Sequence, residues 1–121
     1  MKSLAEFVSE ALLNEERFPQ FIDDWVVWGK LDTKDLNSFK RSLAGGIKSG
    51  KFEVVEDKSD YEDATFKPNT SNTPGYYIDL TIKGKFRDIE KFADKFYLPF
   101  ATVKASDSYQ NFIAEYPHKS K

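Results

Sequence analysis

The residues that most often carry chemistry at neutral pH are scarce in this chain. It has no cysteine and one histidine, His118, which follows Pro117 in a Lys-rich terminal stretch. General-base catalysis usually recruits histidine, and a nucleophile needs its base held in place beside it. A histidine in a polar tail is not held in that way. Ser-His and Cys-His systems are therefore excluded, and the missing cysteines also remove disulfides and thiolate metal sites. A Ser-Lys or paired-carboxylate site survives this test, but no spacing singles one out. The expectation is a protein that is not an enzyme and needs no cofactor.

Three further patterns come near to chemistry. Glu53, Glu56, Asp57, Asp60, Glu62 and Asp63 form an acidic run that could attract a divalent cation. Hard cations need carboxylates at set spacings with a glycine at the sharp turn. The run D-K-S-D-Y-E-D has no such glycine, so a solvated acidic loop is the preferred reading. Gly45 to Gly50-Lys51 has the spacing of a phosphate loop, but Phe52 stands where the metal-binding hydroxyl belongs. The elements around it also run helix then strand, the reverse of a phosphate loop, so a glycine-rich helix end is preferred. Lys40, Arg41, Lys48 and Lys51 make one basic cluster, and Lys83, Lys85, Arg87, Lys91 and Lys95 make a second. Such clusters bind nucleic acid when exposed aromatics offer stacking surfaces. Tyr77, Phe100 and Phe112 would serve if one sheet face were open. Acidic residues are interleaved with both clusters, which favours solvated helix faces.

The elements that would position these groups follow from hydrophobic spacing. Ser3 to Leu13 reads as a helix, with Leu4, Phe7, Val8, Ala11 and Leu12 on one face and a capping box from Ser3 to Glu6. Phe18 to Trp28 reads as a short second helix that Pro19 starts and Gly29 ends, with a strand ending at Trp28 as the alternative. Trp25 and Trp28 would pack between that helix and the sheet. A third helix starts near Asp32 or Thr33, buries Leu36, Phe39, Leu43 and Ile47, and ends at Gly50. Phe52 to Glu56 follows as a strand, and Asp57 to Thr73 as a long mobile loop. Tyr76 to Lys83 alternates cleanly, placing Tyr76, Ile78, Leu80 and Ile82 on one side and Tyr77, Asp79, Thr81 and Lys83 on the other. A helix over Phe86 to Phe96 faces inward through Ile89, Phe92, Ala93 and Phe96. Two strands, Tyr97 to Lys104 and Tyr109 to Tyr116, complete the body around a turn at Ala105 to Ser108.

The fold class is therefore α+β: N-terminal helices, then a small antiparallel sheet in the order β-β-α-β-β with helices on one face. The chain divides into residues 1–15, an amphipathic helix; 16–117, a single domain; and 118–121, a tail. With 121 residues it can bury a core without staples, and eleven phenylalanines make that core aromatic. The net charge of -2 gives no global attraction to nucleic acid or an anionic membrane. No apolar run approaches the roughly 18 residues of a membrane span, so no membrane partner is expected.

The opening, MKSLAEFVSEALLNEE, resembles the capsid-targeting peptide of the internal head proteins of T-even-type tailed phages. Those peptides have the character M-K-T-x-x-E-F-I-x-E-A, and Met1, Lys2, Ser3, Glu6, Phe7, Val8, Glu10 and Ala11 occupy matching places. The resemblance implies a packaging helix that carries the protein into the prohead scaffold. It also implies cutting by the prohead protease after the Glu of a Leu/Ile-x-Glu triplet. Cleavage after Glu10 would release Ala11 as the new N-terminus. The triplet there is Val8-Ser9-Glu10, with Val in place of Leu or Ile, whereas Leu13-Asn14-Glu15 fits and would leave a body starting at Glu16. By the same resemblance the mature protein resides in the virion interior and reaches the host bacterial cytoplasm. There it would bind a macromolecule such as a host defence protein. A cytoplasmic nucleic-acid-binding module, using Lys40, Arg41, Lys48, Lys51, Lys85 and Arg87, is the alternative.

Overall fold

The structure is a computed structural model, and it describes residues 20–67, 73–105 and 107–116. The processing residues Glu10, Ala11, Glu15 and Glu16, the stripe Leu4, Phe7, Val8, Ala11 and Leu12, and His118 all lie outside the described residues. The chain is α+β, with a small antiparallel sheet. β1 (Ile22–Leu31) leads through a 3-10 turn (Thr33–Asp35) into α1 (Leu36–Lys48), then β2 (Phe52–Asp57). Two short strands follow, β3 (Thr65–Phe66) and β4 (Thr73–Pro74). Next come β5 (Tyr76–Lys85), α2 (Phe86–Lys95), β6 (Phe100–Thr102), a second 3-10 turn (Val103–Ala105) and α3 (Asp107–Glu115). The main sheet runs β2-β5-β1-β6, antiparallel throughout, and β3 pairs with β4 beside it.

The first difference from the sequence reading is β1. The stretch read as a second helix is a strand, and it continues past Trp28 to Leu31. The run Trp25-Val26-Val27-Trp28 is apolar on both faces because the strand is covered on both faces, the pattern of a strand buried inside a layered sheet. Trp25, Val27 and Leu31 face the main core, while Val26 and Trp28 face the opposite side. The two tryptophans therefore anchor different layers. Gly29 ends no helix. It lies within the strand at φ 134°, where an added Cβ would press on Leu98 at 3.2 Å.

α1 and α2 cover one face. Phe39 of α1 meets Phe92 and Phe96 at ring-centroid distances of 5.2 and 5.3 Å, and Phe92 meets Phe52 of β2 at 5.4 Å. Ile78, Leu80 and Ile82 of β5 complete this layer, on the side their alternation predicts. Trp25 packs on Phe86 and Phe100, and its indole N–H donates to the Gly84 carbonyl at 3.0 Å.

The second difference is α3. Residues 109–116, read as a strand, are helical except for Tyr116, which follows the helix. Tyr109, Phe112, Ile113 and Tyr116 recur at i, i+3, i+4 and i+7, the helical period, and Asp107 sits favourably in the first turn. Of the turn read at Ala105 to Ser108, Ala105 ends a 3-10 turn and Asp107 and Ser108 begin α3, and of Tyr97 to Lys104 only Phe100–Thr102 is strand. Tyr97 itself adopts φ 57° after the end of α2, as a left-handed helix terminator. α3 lies on the face opposite α1 and α2, with Tyr109 and Phe112 against Val26, Trp28 and Ala101. The helices thus cover both faces, because a two-faced apolar β1 requires it.

Within 57–73, the described part of the segment read as mobile is tied down. The Lys58 and Asp60 amides donate to the Asp79 and Tyr77 carbonyls, each at 2.8 Å. Phe66 is buried, with its ring 5.9 Å from Tyr77 and 5.1 Å from Tyr116.

Ile47, expected in the buried stripe of α1, is 42% exposed, and Gly46 is buried in its place. A Cβ at Gly46 would collide with the Phe52 ring, whereas one at Gly45 would meet nothing within 4 Å. Two neighbouring glycines in one helix should therefore respond in opposite ways. Gly45→Ala is expected to stabilise by up to about 1 kcal/mol through helix propensity. Gly46→Ala is expected to destabilise by about 1–3 kcal/mol through overpacking. Urea unfolding of the two variants checks this, and equal shifts would contradict the packing described.

Candidate functional site

The end of the sheet where β1 begins and β5 finishes carries a groove that joins exposed apolar and basic side chains. Antiparallel register puts Ile22 opposite Lys85, and on the other side Phe52 opposite Gly84 and Glu53 opposite Lys83. α1 ends beside them. Gly50 at φ 78° turns the chain so that Phe52 can start β2. Together Ile22, Ile47, Lys51, Phe52, Lys83 and Lys85 line most of a groove of about 360 Å³, with Glu53 on its rim. A second cleft of about 290 Å³, between α1 and α2, shares Lys51 and Phe52 and adds Lys91, Lys95, Ser42 and Asp88. Ile22 and Ile47 are 54% and 42% exposed, and Lys51, Lys83, Lys85 and Lys91 make no ion pair among the described residues. Apolar side chains open to water beside cations are the chemistry by which apolar contact can supply affinity and charge can select a partner.

Of the six residues assigned to the nucleic-acid alternative, the groove brings together Lys51 and Lys85. Lys40 lies over the Tyr61 ring at 5.3 Å. Arg41, Lys48 and Arg87 are exposed but do not line the groove. Arg87 acts instead on Glu90, whose carboxyl is pushed up from its usual range by burial and by Asp94, with Arg87 opposing. Tyr77 and Phe100 are buried, and Phe112 packs on Tyr77 at 5.4 Å, so none of the three offers an open stacking face.

The other sequence patterns resolve into local structure. The Ser49, Gly50 and Lys51 amides donate back to the carbonyls of Gly45, Ile47 and Gly46, closing the helix rather than cradling a phosphate. In the acidic run, Asp57 accepts the Ser59 amide and the Tyr61 hydroxyl, Asp60 accepts the amides of Glu62 and Asp63, and Asp63 accepts the Thr65 amide. These are turn-forming bonds. Among the described residues, no group of three or more His, Asp or Glu converges as a metal site. Lys95 Nζ donates to Ser42 Oγ at 3.0 Å, but the pair is exposed, and a lysine-activated nucleophile needs a desolvated lysine.

The sequence reading missed Asp79, which it placed on a polar strand face. Asp79 is 3% exposed, and the Tyr109 hydroxyl lies 2.9 and 3.0 Å from its two carboxylate oxygens. Its amide donates to Ser59 Oγ at 2.8 Å. The bond clamps α3 onto the sheet. The available signal was Tyr109 in a helical spacing, which requires a polar acceptor wherever its apolar ring is buried.

No protein-family model matches the chain, and neither a curated protein nor a solved structure matches it.

Tyr61, Tyr77 and Tyr109 are all held protonated well above the ordinary phenol range near 10, burial being the largest cause in each. For Tyr109 the bond to Asp79 and the charge of that carboxylate add to it. A folded-state value raised in this way means the fold binds these protons more tightly than the unfolded chain. Their contribution is complete below about pH 10 and is lost as the pH rises beyond it. Stability from urea unfolding is therefore expected to fall above that point. Tyr109→Phe should cost about 1–3 kcal/mol at neutral pH and make the alkaline decline shallower. Stability that rises above pH 10, or an unchanged slope in Tyr109→Phe, would contradict the clamp.

Proposed function

We propose that this is a non-catalytic binding protein of a tailed phage, packaged in the virion and acting by engaging a macromolecular partner, with a host defence protein as the favoured class. The observation that carries the binding half is the groove, where exposed Ile22 and Ile47 are flanked by Lys51, Lys83 and Lys85. Such a surface suits an acidic, partly apolar protein segment. The two carboxylate and lysine arrangements nearest to catalysis support the same reading, since Asp79 is closed from solvent by Tyr109 and Lys95–Ser42 is open to it. The virion half rests on the opening residues, Met1 to Ala11, and on the triplets ending at Glu10 and Glu15.

The test is the intact mass of the chain recovered from purified particles of the encoding phage, beside the uncut recombinant chain. A chain beginning at Ala11 or Glu16 is the expected result. A full-length chain in the particle, or none there, would overturn the packaging reading.

A further inference from the structure

We propose that the cleft between α1 and α2 binds a phosphoryl dianion, as free phosphate or as a small phosphomonoester, among Lys51, Lys91, Lys95 and Ser42. This site goes beyond the binding reading above and does not rest on it.

The cleft follows from what each helix places along it. α1 contributes Ser42, Gly45, Gly46 and Ser49, and α2 contributes Asp88, Lys91, Phe92 and Lys95, each set at i, i+3, i+4 and i+7. The α1 residues are small, so the helices leave about 290 Å³ between them instead of packing side chain on side chain. Phe52 and Phe92 are buried beneath, and a Cβ at Gly45 would meet nothing within 4 Å. The volume lies at the low end of ligand pockets, about 300–1,000 Å³, which suits one phosphoryl group with a small organic part.

Charge selects the ligand. Lys51, Lys91 and Lys95 line the cleft against one carboxylate, Asp88. None of the three lysines makes an ion pair among the described residues, so Asp88 does not neutralise them. Asp88 stands instead in the first turn of α2, where the helix dipole favours it. The surplus of positive charge matches a phosphoryl group, which carries nearly two negative charges at pH 7, better than it matches a carboxylate.

Two of the donors are already held. Lys95 Nζ donates to Ser42 Oγ at 3.0 Å and lies 5.5 Å from the centre of the Phe96 ring. The Ser42 hydroxyl accepts in that bond and keeps its own proton to donate, and the ammonium keeps further N–H groups. A hydroxyl from α1 and an ammonium from α2 can therefore share one oxyanion, a charge-assisted arrangement. Ser49 adds no donor, because its hydroxyl is given to the Gly45 carbonyl at 2.8 Å.

The test is titration of the isotope-labelled full-length chain with phenyl phosphate at constant ionic strength, followed by amide shifts. Saturable shifts at Ser42, Gly45, Gly46, Lys91 and Phe92 are expected, with benzoate binding at least about tenfold more weakly. Inorganic phosphate distinguishes the sources: equal binding assigns the free ion, weaker binding the ester, and either supports the site. Lys91→Gln and Lys95→Gln should each weaken binding by about tenfold. Lys48→Gln, on α1 but outside the cleft, should leave it unchanged. Gly45→Glu, which puts a carboxylate into the open space, should abolish binding while circular dichroism shows the chain still folded. Shifts that rise without saturating, equal binding of benzoate, or an equal loss in Lys48→Gln would overturn the proposal, since the lysines would then act only as a diffuse basic surface. Saturable shifts centred on Lys83 and Lys85 would also overturn it.

Discussion

The antiparallel pairing of β1 with β5 is the constraint on which the rest of the structure depends. Ten residues of each strand pair in continuous register from Ile22–Lys85 to Leu31–Tyr76. Both strands bury side chains on both faces, so a single covering layer could not satisfy them. On one side the aromatic layer of Phe39, Phe86, Phe92 and Phe96 seals Ile78, Leu80 and Ile82. On the other, Trp28 and Tyr77 need a cover that α3 supplies through Tyr109 and Phe112. Asp79 then becomes a buried carboxylate and demands a partner, which Tyr109 provides. The order of elements after β5, helix, short strand, helix, is the way one chain covers both faces of one strand pair.

What could be read from the sequence divides along the same line. α1 and α2 were legible because each has one buried face, so hydrophobic period and burial coincide, and β5 was legible because its aliphatic and polar residues alternate even though both its faces are covered. β1 was misread because burial on both faces erases its period and leaves Phe21, Ile22, Trp25 and Trp28 at a helical spacing by chance. Val26-Val27 was the usable signal, since adjacent β-branched residues favour a strand. The last helix was misread for the opposite reason. Its stripe is aromatic and polar rather than aliphatic, and Tyr and Phe also favour strands. Asp79 looked solvent-facing because alternation reports which side a residue lies on, not whether that side is covered.

The groove could not have been read from local pattern at all. It is assembled from the start of β1, the end of β5, the turn after α1 and the start of β2, and sequence analysis had divided its lysines between two helix-based clusters. Lys51 and Lys85 belong to it because strand register brings Phe52 and Ile22 to opposite sides of the same β5 end. The sheet is closed over both faces, but at this end it is left open. Ile22 and Ile47 stay exposed there, beside Lys51, Lys83 and Lys85.

The central claim is that the β1–β5 pair depends on cover over both faces, and one measurement addresses it directly. Tyr109 and Phe112 are the α3 side chains that pack on the face of Val26, Trp28 and Ala101. Amide hydrogen exchange in the Tyr109→Ala, Phe112→Ala double variant is expected to speed up along β1 and β5, on both sides of the pair. Exchange in β1 and β5 that stays at the rate of the unaltered chain would contradict the account.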